Sequence, residues 1–180
     1  TIGVQTMHIR WQKPTNVGSQ WDAIVVGGGN TYALLYRLHY HRLLWNIREL
    51  IQEGLPYIGA SAGSNIAGPN ILTTNDWNVV GMIWLNAFEL VPWNINVHYP
   101  KTRADVRGGT KFGETRDERI AEFHRVNRNS VVALEEPAII HVDGSTAMVR
   151  GRGRVRLFVR GRDPIWLSPG DTLPVGRCPR

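Results

Sequence analysis

The chain has 180 residues, of which 42% are hydrophobic, so it is long and apolar enough for one domain with a buried core and does not belong to the disordered class. Its net charge of +6 permits association with polyanions without requiring it. A single cysteine, Cys178, excludes a disulfide framework and a thiolate zinc site. Because residues 1–20 lack a secretory signal and no apolar run reaches the length of a membrane span, we expect a cytoplasmic protein with no membrane contact.

The first part of the chain has the pattern of a β-α-β unit. The predicted elements are, in order, strands at residues 3–8 and 21–26, helices at residues 31–37 and 43–52, and a strand at residues 55–60. Gly27-Gly28-Gly29-Asn30 follows the second of these strands. Two strands joined by a helical crossover should be parallel, which places this glycine turn and the residues after the third strand at one edge of the sheet. Open α/β sheets have their functional sites at that edge.

Ser61 is the candidate nucleophile. It lies in Gly59-Ala60-Ser61-Ala62-Gly63, which fits the G-x-S-x-G elbow, a tight strand-to-helix turn that exposes one serine. Glycines two residues on either side remove side chains that would clash in such a turn. A buried structural turn is the alternative interpretation, since five-residue motifs also occur by chance.

The second half of the chain predicts one charged helix and several short strands. The helix is expected at residues 114–124, after Gly113, and a buried strand at residues 130–134 ends at Glu135-Glu136-Pro137. The last three apolar runs are separated by glycine turns and predict an antiparallel meander, with strands at residues 138–142, 146–150 and 155–160.

A serine nucleophile needs a base and an acid that orients it. His98 is the best placed of six histidines, because it follows a strand-like segment expected at the same sheet edge. Asp76 and Glu136 are both open to the role of the orienting carboxylate. The glycine turn is a poor dinucleotide site, since Tyr32 replaces the last glycine of that motif, but its backbone N–H groups can serve an oxyanion.

Five motifs in chain order resemble the peptidase E family of serine aspartyl dipeptidases, family S51. They are Val26-Gly-Gly-Gly-Asn-Thr31, Tyr57-Ile-Gly-Ala-Ser-Ala-Gly-Ser-Asn65, Thr73-Thr-Asn-Asp76, Asn94-Ile-Asn-Val-His98 and Gly113-Glu-Thr-Arg-Asp-Glu-Arg119. The resemblance implies hydrolysis of dipeptides with an N-terminal aspartate through an acyl-enzyme, without metal or cofactor. It also implies an α/β fold with an open, mainly parallel sheet flanked by helices, similar to class I glutamine amidotransferases.

The resemblance implies a role for each matching residue. Ser61 is similar to the nucleophile and His98 to its base, and the third member is favoured at Glu136, with Asp76 kept as the alternative. The other implied site residues are Gly29 and Ala62, whose N–H groups form the oxyanion hole, and Arg116 and Asn30, which bind the substrate, with Arg116 holding its aspartate carboxylate.

The chain departs from the family pattern at Ala60, at Val97, and at Glu135, which replaces a proline before Glu136. Family members also carry a further β-α-β portion before the point where this chain begins. We expect residues 1–180 to form a single domain that is a fragment, is trimmed, or has its exposed sheet edge covered by another subunit in a homo-oligomer.

Two other functions remain as alternatives. A cyanophycinase-like hydrolase shares the serine elbow but not the Gly-Glu-Thr-Arg motif. A peptidase-like fold kept as a basic structural or nucleic-acid-associated subunit would use arginines at even positions on one strand face. A solvated outer face is the favoured interpretation of these arginines, and nucleic acid is not an expected partner. They are Arg150, Arg152, Arg154, Arg156, Arg160 and Arg162.

Overall fold

A computed structural model of the chain describes residues 21–100 and 114–174. The strand predicted at residues 3–8 and Cys178 lie outside the described residues. The described helices are α1 (Thr31–Tyr40), α2 (Leu43–Gln52), α3 (Ala62–Asn65) and α4 (Arg116–Val126). The strands are β1 (Ile24–Val26), β2 (Tyr57–Gly59), β3 (Asn94–Asn96), β4 (Val131–Leu134), β5 (Ala138–Asp143), β6 (Thr146–Gly151), β7 (Val155–Phe158), β8 (Ile165–Leu167) and β9 (Thr172–Leu173).

The predicted β-α-β unit is confirmed. Strands β1 and β2 pair in parallel, with Val26 opposite Gly59, and helices α1 and α2 form the crossover between them. The apolar spacing of the two helices buries Leu35 and Ile47 in one core with Phe88 from the following loop. This packing holds the glycine turn after β1 beside the serine elbow after β2.

A second sheet has the order β3-β4-β7-β8, in which β3 and β4 are parallel and the other two pairings are antiparallel. His98 follows the end of β3, and Glu136 follows the end of β4. Because the two strands are parallel, these residues come to the same edge of the sheet. Strand β7 begins at that edge, where Val155 pairs with Leu134.

The predicted single, mainly parallel sheet is not found in residues 21–100 and 114–174. Their strands form three sheets, and of six strand pairings only β1–β2 and β3–β4 are parallel. The described part of the chain is therefore an α/β fold of mixed strand direction. No helix in these residues is long and apolar enough to cross a lipid bilayer.

The predicted C-terminal meander is correct for its first hairpin, β5–β6, and wrong for its third strand. Strand β7 pairs with β4, and β9 pairs with β6 instead. Gly151 has a φ of 81° and a Cβ there would lie 2.3 Å from the carbonyl oxygen of Pro137; a Cβ on Gly153 would lie 2.5 Å from the Ala138 nitrogen. The two glycines thus let the chain cross closely over the start of β5 and leave the hairpin for β4.

Helix α4 begins two residues later than predicted because Thr115 caps it. The Thr115 side chain accepts from the Glu118 backbone N–H at 3.2 Å, and the Glu118 carboxylate accepts from the Thr115 N–H at 2.7 Å. This reciprocal capping box satisfies two N–H groups that the first turn of a helix leaves without partners. Arg116 is consequently the first helical residue.

Candidate active site

Ser61 sits in a strained turn between β2 and α3. Its φ of 53° and ψ of −112° lie outside the regions that side-chain-bearing residues prefer. A Cβ on Gly59 would lie 2.6 Å from the Gly63 oxygen, and one on Gly63 would lie 2.1 Å from the Val26 oxygen. The two glycines of the predicted elbow are therefore required by close backbone contacts.

Two hydroxyl groups brace the elbow from inside. Tyr57 donates to the carbonyl oxygen of Gly63 at 2.6 Å, and Ser64 donates to that of Gly59 at 2.9 Å. Burial raises the pKa of Tyr57, so its hydroxyl stays protonated and remains a donor across the physiological range. This role of Tyr57 was not predicted, because its hydrogen-bond partner is determined by the geometry of the turn.

His98 links the serine to a carboxylate. Its Nε2 lies 2.9 Å from Ser61 Oγ, and its Nδ1 is hydrogen-bonded to Glu136 Oε1. When Nδ1 carries the proton that faces Glu136, Nε2 is free to accept the hydroxyl proton of Ser61. His98 also has a positive φ of 55°, so both Ser61 and His98 occupy strained backbone positions.

The other candidate acid, Asp76, lies at the glycine turn. Its Oδ2 accepts the backbone N–H of Thr31 at 2.7 Å and the hydroxyl of Thr74 at 3.2 Å. Among the described residues no hydrogen bond joins Asp76 to His98. Of the two acids that the sequence left open, Glu136 is the one in contact with the imidazole, and Asp76 anchors the start of α1.

A buried polar network extends this anchor to the elbow helix. The Asn65 amide donates to the hydroxyls of Thr31 at 3.0 Å and Thr74 at 3.2 Å, so α3 is tied to the start of α1 and to the loop that carries Asp76. Asn65 is 3% exposed. This role of Asn65 was not predicted; the available signal was a polar side chain at the start of a helix made of small residues.

The two residues predicted to form the oxyanion hole are Ala62, which directly follows Ser61, and Gly29, which lies in the glycine turn after β1. A Cβ on Gly28 would lie 3.2 Å from the Ser61 Cβ, so the glycine turn passes directly over the serine side chain. Gly29 has a φ of 139°, a backbone conformation that glycine adopts without strain. Within the described residues, neither the Gly29 N–H nor the Ala62 N–H donates to a protein acceptor.

Arg116 approaches the same sheet edge from α4. Its Nη1 donates to Asn96 Oδ1 at 3.2 Å and to the carbonyl oxygen of Val97, the residue before His98, at 3.1 Å. Burial lowers the pKa of Arg116, and the nearby charge of Arg119 adds to this effect. The guanidinium nevertheless remains charged at neutral pH.

Asn30 is a helix cap in this structure. Its Oδ1 accepts from the Ala33 N–H at 2.9 Å, and its Nδ2 donates to the Trp77 carbonyl oxygen at 2.9 Å. The substrate-binding role predicted for this side chain therefore competes with a capping role that occupies both ends of the amide. Asparagine is among the preferred N-cap residues, so the position just before α1 already pointed to capping.

The site is open to solvent in the described residues. The side chains of His98 and Glu136 are 53% and 69% exposed. Two cavities lie elsewhere: one of about 430 Å³ is bordered by Thr74, Asn96 and Arg119, and one of about 740 Å³ by Arg125 and Arg160. Ser61 lines neither of these two cavities, and the candidate site is marked by its hydrogen bonds and strained backbone.

A family model and several curated sequences match most of this chain. The model of a family described as Peptidase family S51 matches residues 1–150. Peptidase E of Streptomyces coelicolor is 41% identical over 152 residues, which cover 84% of this chain and 61% of that protein. A probable alpha-aspartyl dipeptidase of Drosophila melanogaster is 46% identical over 138 residues, which cover 76% of this chain and 56% of that protein.

Peptidase E of Pasteurella multocida is 39% identical over 158 residues, which cover 87% of this chain and 65% of that protein. The chain thus spans about three fifths of the length of these curated relatives. A crystal structure of a peptidase from an acI-B1 Actinobacterium shares the fold, with a TM-score of 0.61 at 16% identity, over 85% of this chain and 59% of that one.

Proposed function

The chain belongs to peptidase family S51, and from this membership and the contacts of Ser61 we propose that the complete protein is a serine dipeptidase that hydrolyses dipeptides with an N-terminal aspartate. The observation that carries the proposal is the hydrogen-bonded series from Ser61 Oγ to His98 Nε2 and from His98 Nδ1 to Glu136. Similarity to the Drosophila protein, whose name gives an alpha-aspartyl dipeptidase, supports the substrate class.

In the proposed reaction, Ser61 and His98 form and break the acyl-enzyme. His98 Nε2 accepts the proton of Ser61 as Oγ attacks the peptide carbonyl carbon, and it then returns that proton to the leaving amine. Water then attacks the acyl carbon and loses a proton to the same nitrogen, and His98 passes that proton to Ser61 Oγ as the bond to the aspartyl group breaks. Glu136 holds the imidazole in the required tautomer and stabilises the imidazolium that forms in each half of the reaction.

We assign stabilisation of the negative charge that develops on the substrate's carbonyl oxygen to the N–H groups of Gly29 and Ala62. Ala62 directly follows Ser61, and Gly29 follows Gly28, at which a Cβ would lie 3.2 Å from the Ser61 Cβ. Neither N–H group has a protein acceptor among the described residues, so both are available to a carbonyl oxygen as it becomes an oxyanion. Asp76 and Asn65 support this arrangement indirectly, because they tie the glycine turn to the elbow helix.

We assign binding of the substrate's aspartate carboxylate to Arg116. Its Nη1 is held by Asn96 and Val97, while Nε and Nη2 make no hydrogen bond within the described residues and can present a fork to a carboxylate. An asparagine substrate would leave this partly desolvated guanidinium without its charged partner, so it should bind and react poorly.

Replacement of Arg116 tests this assignment. We expect Arg116→Ala to lower kcat/KM for Asp-Leu by about 10²-fold and to leave the reaction of Ser61 with a small serine-directed reagent nearly unchanged. Arg119→Ala is the matched control, because Arg119 lies on the same helix, is 54% exposed and contacts Glu114 at 3.6 Å. Equal losses in the two variants would mean that the carboxylate is bound elsewhere.

An activity assay tests the proposed function itself. The parent protein is expected to cleave Asp-Leu, to cleave Asn-Leu poorly, and to leave aspartate-arginine polymers intact, with Ser61→Ala as the blank. Cleavage of the polymer in preference to Asp-Leu would instead support the cyanophycinase-like alternative.

The finer features of fold and assembly are also proposals. We propose that β1–β2 and β3–β4 belong to one open sheet of the class I glutamine amidotransferase type in the complete protein, since α3 packs against β1, β2 and β3. Val25 and Ile58 on neighbouring strands are 70% and 56% exposed, which fits a face covered by a further portion of the family fold or by a second copy. A cytoplasmic location stays a prediction.

The arginine-rich segment is not expected to bind nucleic acid tightly. Arg154 and Arg156 are paired with Glu135 and Asp117, so the alternating arginines do not present one uniformly free face. A labelled single-stranded oligonucleotide should bind weakly and be released by a modest rise in salt concentration. Tight binding that persists at physiological ionic strength would instead favour the structural-subunit alternative.

A further inference from the structure

Two of the alternating arginines contact the residues that flank His98 and Glu136. Arg154 and Arg156 lie at the start of β7, which runs antiparallel to β4. The first residues of β7 therefore lie beside the last residues of β4, at the sheet edge that carries the candidate site. Both arginines follow the 1–150 region matched by the family model.

Arg154 fixes the residue before Glu136. Glu135 is 3% exposed, and its carboxylate accepts from Arg154 Nε at 3.1 Å, from Nη2 at 3.0 Å and from the Arg154 backbone N–H at 3.2 Å. The Glu135 N–H in turn donates to the Arg154 carbonyl oxygen at 3.0 Å. A buried carboxylate is tolerated only when its oxygens are bonded in this way, so the pair determines the backbone position of Glu135.

Glu136 depends on that backbone position. Its side chain is 69% exposed, and among the described residues its hydrogen-bond partner is His98. An exposed carboxylate with so little packing around it cannot select one orientation by itself. The direction in which Glu136 leaves the chain is therefore set by Glu135 and its partner Arg154.

Arg156 fixes the residue after His98 in a similar way. Its Nη1 donates to the Tyr99 hydroxyl at 2.6 Å and to Asp117 Oδ2 at 2.8 Å, and the same hydroxyl donates to Asp117. Burial, followed by the hydrogen bond to Asp117, raises the pKa of Tyr99 to about 12, so this donor is not lost at physiological pH. The Tyr99 N–H is bonded to the carbonyl oxygen of Leu134 at 2.9 Å.

One aromatic ring on β8 packs against both arginines. Trp166 pairs with Arg156 across β7 and β8, and its ring centre lies 4.3 Å from the Arg154 guanidinium carbon and 5.3 Å from that of Arg156. The ring also meets Tyr99 edge to face at 5.9 Å between centres. Stacking on an aromatic face orients a guanidinium and favours arginine over lysine at these positions.

We propose that Arg154 and Arg156 are positioning residues that hold Glu136 and His98 in contact, a role that rests on the proposed function of those two residues. Arg154 acts through Glu135 on Glu136, and Arg156 acts through Tyr99 on His98. Trp166 keeps the two guanidinium groups in place. The β7–β8 hairpin thus supports the catalytic edge of the sheet from its antiparallel side.

Kinetics of Arg154 variants test the proposal. We expect Arg154→Ala to lower kcat for Asp-Leu by about 10- to 100-fold with less than about a threefold change in KM, because only the orientation of the base is affected. Arg154→Lys should recover part of this loss, since it restores the charge but not the bidentate contact. Arg152→Ala, an exposed arginine two residues away, should match the parent.

The double variant separates positioning from general stability. If Arg154 acts through Glu136, then Arg154→Ala should cost almost nothing further in a Glu136→Gln background. If the loss of kcat in the double variant equals the product of the two single losses, the proposal is overturned. It is also overturned if Arg154→Ala retains the kcat of the parent. Should Arg154→Ala fail to fold, the same criteria apply to Arg154→Lys.

Proton NMR provides a readout that needs no turnover. The ring Nδ1–H that faces a carboxylate gives a resolved low-field resonance, which we expect in the parent and in Arg152→Ala and expect to be lost or moved upfield in Glu136→Gln and Arg154→Ala. A parent protein with this resonance but no hydrolysis of Asp-Leu would contradict the proposed function alone. An Arg154→Ala protein that retains the parent resonance would contradict the positioning role alone.

Discussion

Ser61→Ala and His98→Ala are each expected to lower kcat for Asp-Leu by at least about 10⁴-fold while the protein stays folded. The first variant removes the hydroxyl that we assign as the nucleophile, and the second removes the nitrogen that lies 2.9 Å from that hydroxyl. Neither side chain contributes to a buried apolar cluster, so the thermal unfolding temperature should change little. Initial rates at saturating substrate, with a far-UV circular dichroism melt for each variant, provide the measurement.

Two exposed residues of the same types are matched controls. Ser168→Ala and His141→Ala alter exposed side chains that make no hydrogen bond to Ser61, His98 or Glu136 within the described residues, so both should retain the kcat of the parent. The assignment of Ser61 and His98 is wrong if either site variant turns over substrate at a rate near that of the parent. Because the three side chains act as one unit, the Ser61→Ala/His98→Ala double variant should be little slower than either single variant.

Glu136→Gln is expected to lower kcat by roughly two to four orders of magnitude, against a smaller loss for Asp76→Asn. Glutamine keeps the shape of Glu136 but removes the charge that stabilises the imidazolium, and its amide can present a donor to Nδ1. Asp76 instead accepts from the Thr31 N–H and the Thr74 hydroxyl, contacts that an asparagine oxygen can largely keep.

The two acid variants should also differ in stability. Asp76→Asn largely keeps the contacts with Thr31 and Thr74 but removes a negative charge at the N-terminus of α1, so it should lower the unfolding temperature more than Glu136→Gln, whose side chain is 69% exposed. Rate and melting measurements on the same preparations give both comparisons. If Asp76→Asn causes the larger loss of kcat, the orienting role passes to Asp76.

The serine elbow and the first β-α-β unit could be predicted because both are local. The glycines of the elbow are required by contacts between backbone segments that motifs in the sequence already mark. Two apolar runs separated by a helical pattern predict two strands joined by a helical crossover, and such strands pair in parallel. His98 became the candidate base for the same reason, since it comes two residues after a strand that ends at this edge. The structure of these elements is determined by short stretches of sequence.

The partner of β7 could not be predicted, because strand pairing over long sequence separation depends on how the chain crosses itself. The close approach at Gly151 and Gly153 moves β7 to β4, and only then do Arg154 and Glu135 meet. For the same reason the sequence could not decide whether Asp76 or Glu136 contacts His98. The loop that carries Asp76 turns back to α1, and this contact joins residues 45 positions apart. The start of α4 was predicted two residues too early, although Thr115 and Glu118 stand three residues apart as in a capping box and carried the local signal for the correct start.

The most direct measurement for the central claim is the site of covalent labelling by phenylmethylsulfonyl fluoride, located by mass spectrometry of the digested protein. We predict one modified residue, Ser61, with labelling abolished in Ser61→Ala and strongly slowed in His98→Ala, because the hydroxyl reacts only when Nε2 accepts its proton. Ser168→Ala should be labelled as fast as the parent. Modification of another residue, or equal labelling of Ser61→Ala and the parent, would contradict the assignment of Ser61 as the nucleophile.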